Sequence, residues 1–132
     1  MKDGWNEGGF SMIELLFVMI IIGILCAIAI PMYLSQRDKA KDVAVREGGR
    51  TIAIAVQTYV IADKQDGLPP DATHDTLVNA GAIDVGDWPH DGYQGGPMTV
   101  GTDPGQYTYE ALTGSDFEVT VYLAHGAPFI VP

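Results

Sequence analysis

Few of the 132 residues are grouped so that they could do chemistry. The first candidate is Glu14, a carboxylate at the entrance to a long apolar run. Ser11-x-x-Glu14 fits a capping box, in which the two side chains satisfy backbone donors at a helix start. A carboxylate there also complements the positive end of the helix dipole. A second group is Asp84, Asp87 and Asp91 in "DVGDWPHD". Its oxygens suit calcium, but its spacing is not that of the helix–loop–helix calcium pattern. Asp71, His74 and Asp75 form a third, weaker set with metal-ligand types. Solvated acidic loops are the simpler expectation for both groups, so no metal and no cofactor is expected. Ser, His and Asp all occur, but no G-x-S-x-G marks a local nucleophile, and the chain is not expected to be an enzyme. Cys26 is the one cysteine, so there is no intrachain disulfide framework and no cysteine metal site. It reads as a small hydrophobe.

The elements that must hold these residues follow from hydropathy and charge. From Leu15 to Leu34, 20 residues, nothing is charged. At about 1.5 Å per helical residue the run covers about 30 Å, the thickness of a bilayer's hydrocarbon core. It is too long for an ordinary secretory signal, and an amphipathic pattern follows it instead of a cleavable linker, so the span is expected to be retained. Gly23 and Pro31 are its weak helix points. Pro31 has no backbone donor and leaves the carbonyl of Ala27 without its helical bond. Arg37, Lys39 and Lys41 outnumber Lys2 across the span, and the positive-inside rule taken alone puts residues 35–132 in the cytoplasm.

Val45, Ile52, Val56, Tyr59 and Val60 share one helical face, which extends a helix from about Ser11 to Lys64. Asp42 and Arg46, four apart, could pair, whereas Arg46 and Arg50 would repel. Gly48-Gly49 weakens the helix by about 1 kcal/mol per glycine. Residues 67–105 are rich in turn formers, with a short helix expected at Thr76–Ala80, capped by Asp75 and stopped by Gly81. "QYTYEA" (106–111) and "FEVTVYLA" (117–124) alternate as strands, joined by "LTGSD". Asp103-Pro104-Gly105 is a tight turn before the first. Phe117, Val119, Val121 and Leu123 would face the helix. The fold class is α+β: a long helix, apolar then amphipathic, packed on a small antiparallel sheet. Net charge is −10, and ten acids from Asp66 to Glu118 follow Lys64 without another Lys or Arg. That balance excludes direct nucleic-acid binding.

"GGFSMIELLFVMIIIGILCAIAIP" resembles the class III signal and first half-helix of the type IV pilins and related pseudopilins. The carriers are Gly9, the aromatic Phe10, the acid Glu14 four residues on, and Pro31. More weakly, "LVNAGAI…WPHDGYQGGPMTVGTDPGQYTYEA" resembles C-terminal segments of some members, which often have Asn-Pro where this chain has Asp91-Gly92. The resemblance implies that 1–9 is a leader, removed by a prepilin peptidase after Gly9, with methylation of the new amine of Phe10. It implies that 10–34 crosses the inner or cytoplasmic membrane and later lines a filament core. Residues 35–66 would continue the helix and 67–132 form a head outside the membrane, against the charge count. Glu14 would meet a neighbour's N-terminal amine, and Gly23 to Pro31 would loosen on packing. Partners would be other copies, the peptidase, an assembly platform, minor pilins, and lipid before assembly. The filament would be a surface pilus or the periplasmic pseudopilus of type II secretion, where some loops bind calcium. The rival is an anchored binding domain that never polymerises.

Overall fold

The computed structural model describes residues 9–62, 67–114 and 116–132. They fall into two compact units divided between Arg37 and Asp38. A single helix, α1 (Met12–Ala62), supplies the first unit and continues into the second. Lys64, the expected helix end, lies outside the described residues.

In the first unit the helix begins just after Ser11, whose carbonyl accepts from the amides of Glu14 (3.0 Å) and Leu15 (3.2 Å). Ser11 therefore stands at the cap, as the sequence suggests. The large apolar residues from Phe10 to Leu34 are all exposed. The helix runs through Pro31. A Cβ added at Gly23 would meet nothing within 4 Å.

The second unit holds the core. Val45, Ile52 and Val56 of α1 are fully buried, as the seven- and four-residue spacing requires, and Tyr59 and Val60 are half-buried. They pack with a sheet of β1 (Tyr107–Ala111), β2 (Phe117–Val121) and β3 (Phe129–Val131), antiparallel in the order β1-β2-β3. Tyr107 pairs with Val121 and Ala111 with Phe117 in one ladder, and Val119 pairs with Val131 in the next. Phe117, Val119, Val121 and Leu123 are buried, as alternation predicts.

Three expectations need correction. The strands are shorter than 106–111 and 117–124, although Tyr122 still donates to the Gln106 carbonyl at 3.0 Å. The third strand escapes pattern reading, because three residues after Gly126-Ala127-Pro128 are too few to show a period. The short helix α2 is His74–Asn79, capped by Thr73 and not by Asp75. Thr73 has the extended backbone of a cap, and its Oγ1 accepts from the Thr76 amide at 3.4 Å. Gly81 does end this helix. At φ +70° it donates to Val78, and Ala82 donates to Leu77, the paired bonds of a Schellman stop.

The glycine pair in α1 has a use that propensity alone does not show. A Cβ at Gly49 would overlap Val121 on β2, and one at Gly48 would overlap the Met98 sulfur. The lost helix propensity is exchanged for a close approach of helix, sheet and loop.

Candidate functional site

Gly9 and Phe10 lie outside regular secondary structure just ahead of the helix, and both are exposed, Phe10 at 78%. Glu14 sits in the first helical turn and is also exposed. Gly9, Phe10 and Glu14 thus lie close together in the chain at the start of the apolar half-helix. Beyond them, α1 is long and apolar enough to cross a membrane, and none of that stretch is buried. Exposed aliphatic area of this extent is not left facing water in a stable fold, because each square ångström costs about 25 cal/mol. It requires lipid or another apolar surface. In either medium a lone carboxylate is costly until a cation meets it. Leu15–Gln36 contains no cation that could do so.

The acidic groups of the second unit do not converge. Among the described residues no cluster of three or more His, Cys, Asp or Glu side chains is arranged to hold a metal. Asp84 precedes, and Asp87 ends, an exposed single-turn 3-10 helix, Val85–Asp87. Asp91 is instead buried beneath the turn at Gly105, where a Cβ would overlap its carboxylate. It accepts from the Tyr93 amide at 2.8 Å. Asp71 accepts from the hydroxyls of Thr76 and Thr73, and these bonds hold its carboxyl below the usual carboxylate range. His74 pairs with Asp75 at 3.0 Å and sets its ring edge-on to Trp88.

Sequence reasoning missed the polar junction at Asp42. Asp42 is buried on α1 and accepts from the Tyr93 hydroxyl, not from Arg46. The same hydroxyl accepts from the Ala124 amide at 3.0 Å, and His125 Nδ1 lies 3.8 Å from the second Asp42 oxygen. Burial, with the hydrogen bond to Asp42, pushes the Tyr93 phenol up to about 12. Helix, loop and the segment after β2 are thus tied at one point. Gly92, where this chain departs from Asn-Pro, lies so close to the helix that a Cβ would crowd the Lys41 carbonyl. No local signal links Asp42 to a tyrosine 51 residues away.

Comparison with known proteins places a family motif in the first unit and finds relatives over part of the chain. Residues 6–30 match the family model described as the prokaryotic N-terminal methylation motif. The chain is 35% identical over 54 residues to the type II secretion system core protein G of Pseudomonas aeruginosa, covering 41% of this chain and 38% of that protein. It is 42% identical over 62 residues to the type IV narrow pilus major component PilA5 of Thermus thermophilus (46% and 51% of the two chains). It is 39% identical over 61 residues to the type IV major fimbrial protein FimA of Dichelobacter nodosus (46% and 39%). The matched regions span about half the length of these relatives or less. No solved structure gives a significant match. The motif match, these relatives and the helix-on-sheet fold agree: the chain carries the prepilin-type N-terminal motif shared by the type IV pilins and the type II secretion pseudopilins.

Proposed function

We propose that this chain is a structural subunit of a type IV pilus-like filament. It enters the membrane as a single-pass prepilin whose leader is residues 1–9. A prepilin peptidase cuts after Gly9 and the amine of Phe10 is methylated. Residues 10–34 hold the subunit in the inner or cytoplasmic membrane with residues 35–132 outside, and then pack against other copies in the filament core. Glu14 pairs there with the N-terminal amine of a neighbour. That pairing fixes axial register, because a wrong register strands two buried charges. Gly23 and Pro31 give the helix its points of least resistance during the transfer. An assembly platform and minor pilins are the expected partners, and no cofactor is required.

The observation that carries this reading is the wholly exposed apolar half-helix with one carboxylate at its open end. Intact mass of the exported protein tests the processing. A chain beginning at Phe10 with one added methyl group is expected, and a chain retaining Met1–Gly9 overturns it. Glu14→Ala should abolish assembly while leaving the second unit folded, whereas an anchored domain that never polymerises would be indifferent to it.

A second reading, the pseudopilus of a type II secretion system, draws support from the similarity to the Pseudomonas aeruginosa secretion protein. Fibres sheared from the cell surface and built of this chain favour the pilus. Loss of protein export on deletion, without surface fibres, favours the pseudopilus.

A further inference from the structure

The bases of the second unit do not all have a use inside it. Arg46 and Arg50 lie over the ring of Phe129, 5.6 and 5.5 Å from its centroid, and Glu47 meets Arg50 at 2.6 Å. Lys39 and Lys41 are different. Lys39 is exposed and Lys41 half-buried, and among the described residues neither meets a carboxylate or a ring. The acids that interleave with them in sequence are largely enclosed. Asp42 is buried and takes its hydrogen bond from Tyr93, and Asp38 is half-buried. Asp91 is buried too, and Gly92 beside it packs close to the Lys41 carbonyl.

The same end of the unit carries residues 124–128, all of them exposed and none of them an acid. Ala124 donates to the Tyr93 hydroxyl at 3.0 Å, and His125 Nδ1 stands 3.8 Å from Asp42, so this segment lies beside the Asp42 turn of α1. Asp103 is left exposed in the turn that covers Asp91. The lysines are thus accessible where two carboxylates are enclosed. Connectivity says what this end meets. Lys39 and Lys41 follow Leu34, the end of the apolar run, by five and seven places on the same helix. With the run in a bilayer they would stand about 7–11 Å beyond the hydrocarbon, at about 1.5 Å per residue. The headgroup layer is about 5–7 Å deep, and a lysine's four-carbon stem lets its ammonium reach back into it.

We infer that this end of the second unit is a contact surface for anionic phospholipid headgroups, with Lys39 and Lys41 as the groups that hold the phosphates. The inference rests on the membrane stage of the proposed function, not on the filament stage, and docks the head on the bilayer surface before assembly. The head as a whole is acidic, so the attraction has to be local. Screening makes it local, because exposed charges more than about 8–10 Å away count for little in physiological salt. A lysine held at an anionic surface is worth about a fivefold preference for that surface. Bases that the positive-inside rule assigns to the cytoplasm thereby gain a use on the outer leaflet.

The test is lipid retention by the full-length chain, read by native mass spectrometry from micelles holding phosphatidylglycerol and phosphatidylcholine in equal amounts. The parent chain should retain phosphatidylglycerol in preference. Lys39→Gln with Lys41→Gln should lower that preference about fivefold or more, and Lys39→Arg with Lys41→Arg should keep it. Arg46→Gln with Arg50→Gln removes the same charge from the bases seated on Phe129 and should leave the preference unchanged. No loss in the Lys→Gln pair, or an equal loss in the Arg→Gln pair, overturns the inference. A second measurement places the head itself. On a Cys26→Ser background, a fluorophore at Ala127→Cys is reconstituted in phosphatidylcholine vesicles with quencher-labelled headgroups. Quenching should rise when phosphatidylglycerol is included, and the rise should vanish in the Lys→Gln pair. Insertion with equal quenching in both vesicles overturns the contact and leaves the membrane reading standing. If the chain inserts in neither, the membrane reading itself fails and takes the inference with it.

Discussion

Tyr93 carries more of the second unit's organisation than its place in a loop suggests. Its hydroxyl donates to the buried Asp42 carboxylate and accepts from Ala124, so one atom joins three segments. Tyr93→Phe keeps the ring and leaves Asp42 without its donor. A cost of about 1–3 kcal/mol is expected, read as a lower urea midpoint for the second unit. The phenol adds a pH dependence of definite sign. Its folded pKa, about 12, exceeds the ordinary value of 10, so the unfolded chain loses that proton first. The corresponding stability is intact below pH 10 and is lost as pH rises from 10 toward 12. Tyr93→Phe should flatten the unfolding curve in that window, although Tyr107 and Tyr109, raised by burial, still contribute. At this scale the sequence is legible only where the chemistry is local. Gly9, Phe10, Glu14 and Pro31 lie within one short stretch, and their types and spacing suffice to single them out. Asp42 does not declare itself, because an acid four residues from an arginine on a helix looks like a surface pair. Burial by a distant loop decides otherwise.

At the scale of the elements, the helix and the first two strands are readable from periodicity, since each buries one face of a regular repeat. The turn at Asp103–Gln106 is readable too, with Gly105 at φ +91° and the Gln106 amide bonded to the Asp103 carbonyl at 2.9 Å. What fails is whatever depends on a partner. β3 is a strand only because β2 offers it an edge, and Thr73 takes the cap of α2 because its backbone is extended there and its hydroxyl reaches the Thr76 amide. Gly48-Gly49 shows the limit most clearly. Helix propensity makes Gly49→Ala a gain of about 1 kcal/mol, yet the added carbon falls on Val121. Overpacking of this kind costs about 1–3 kcal/mol, so a net loss of stability is expected. Thermal midpoints of the second unit with and without Gly49→Ala decide the sign.

For the whole molecule, the buried core belongs entirely to the unit that starts at Asp38. A chain trimmed to begin at Asp38 keeps every core residue, and Asp38 itself is a good helix cap. It should be soluble without detergent, run as a monomer on size exclusion, and melt in one cooperative transition. The full chain should need detergent or lipid. A trimmed chain that aggregates or melts without cooperativity would show that the first unit is required for folding. The acidic head, with most of the net charge of −10, keeps such a fragment dispersed.

Trp88 has one more consequence. Its indole is buried and donates to the Met98 carbonyl at 3.1 Å. The chain's other tryptophan, Trp5, lies in the proposed leader. Cleavage after Gly9 would therefore leave a single tryptophan, buried in the head. Its emission would follow folding of that half alone, and would stay silent about whatever surrounds the apolar helix.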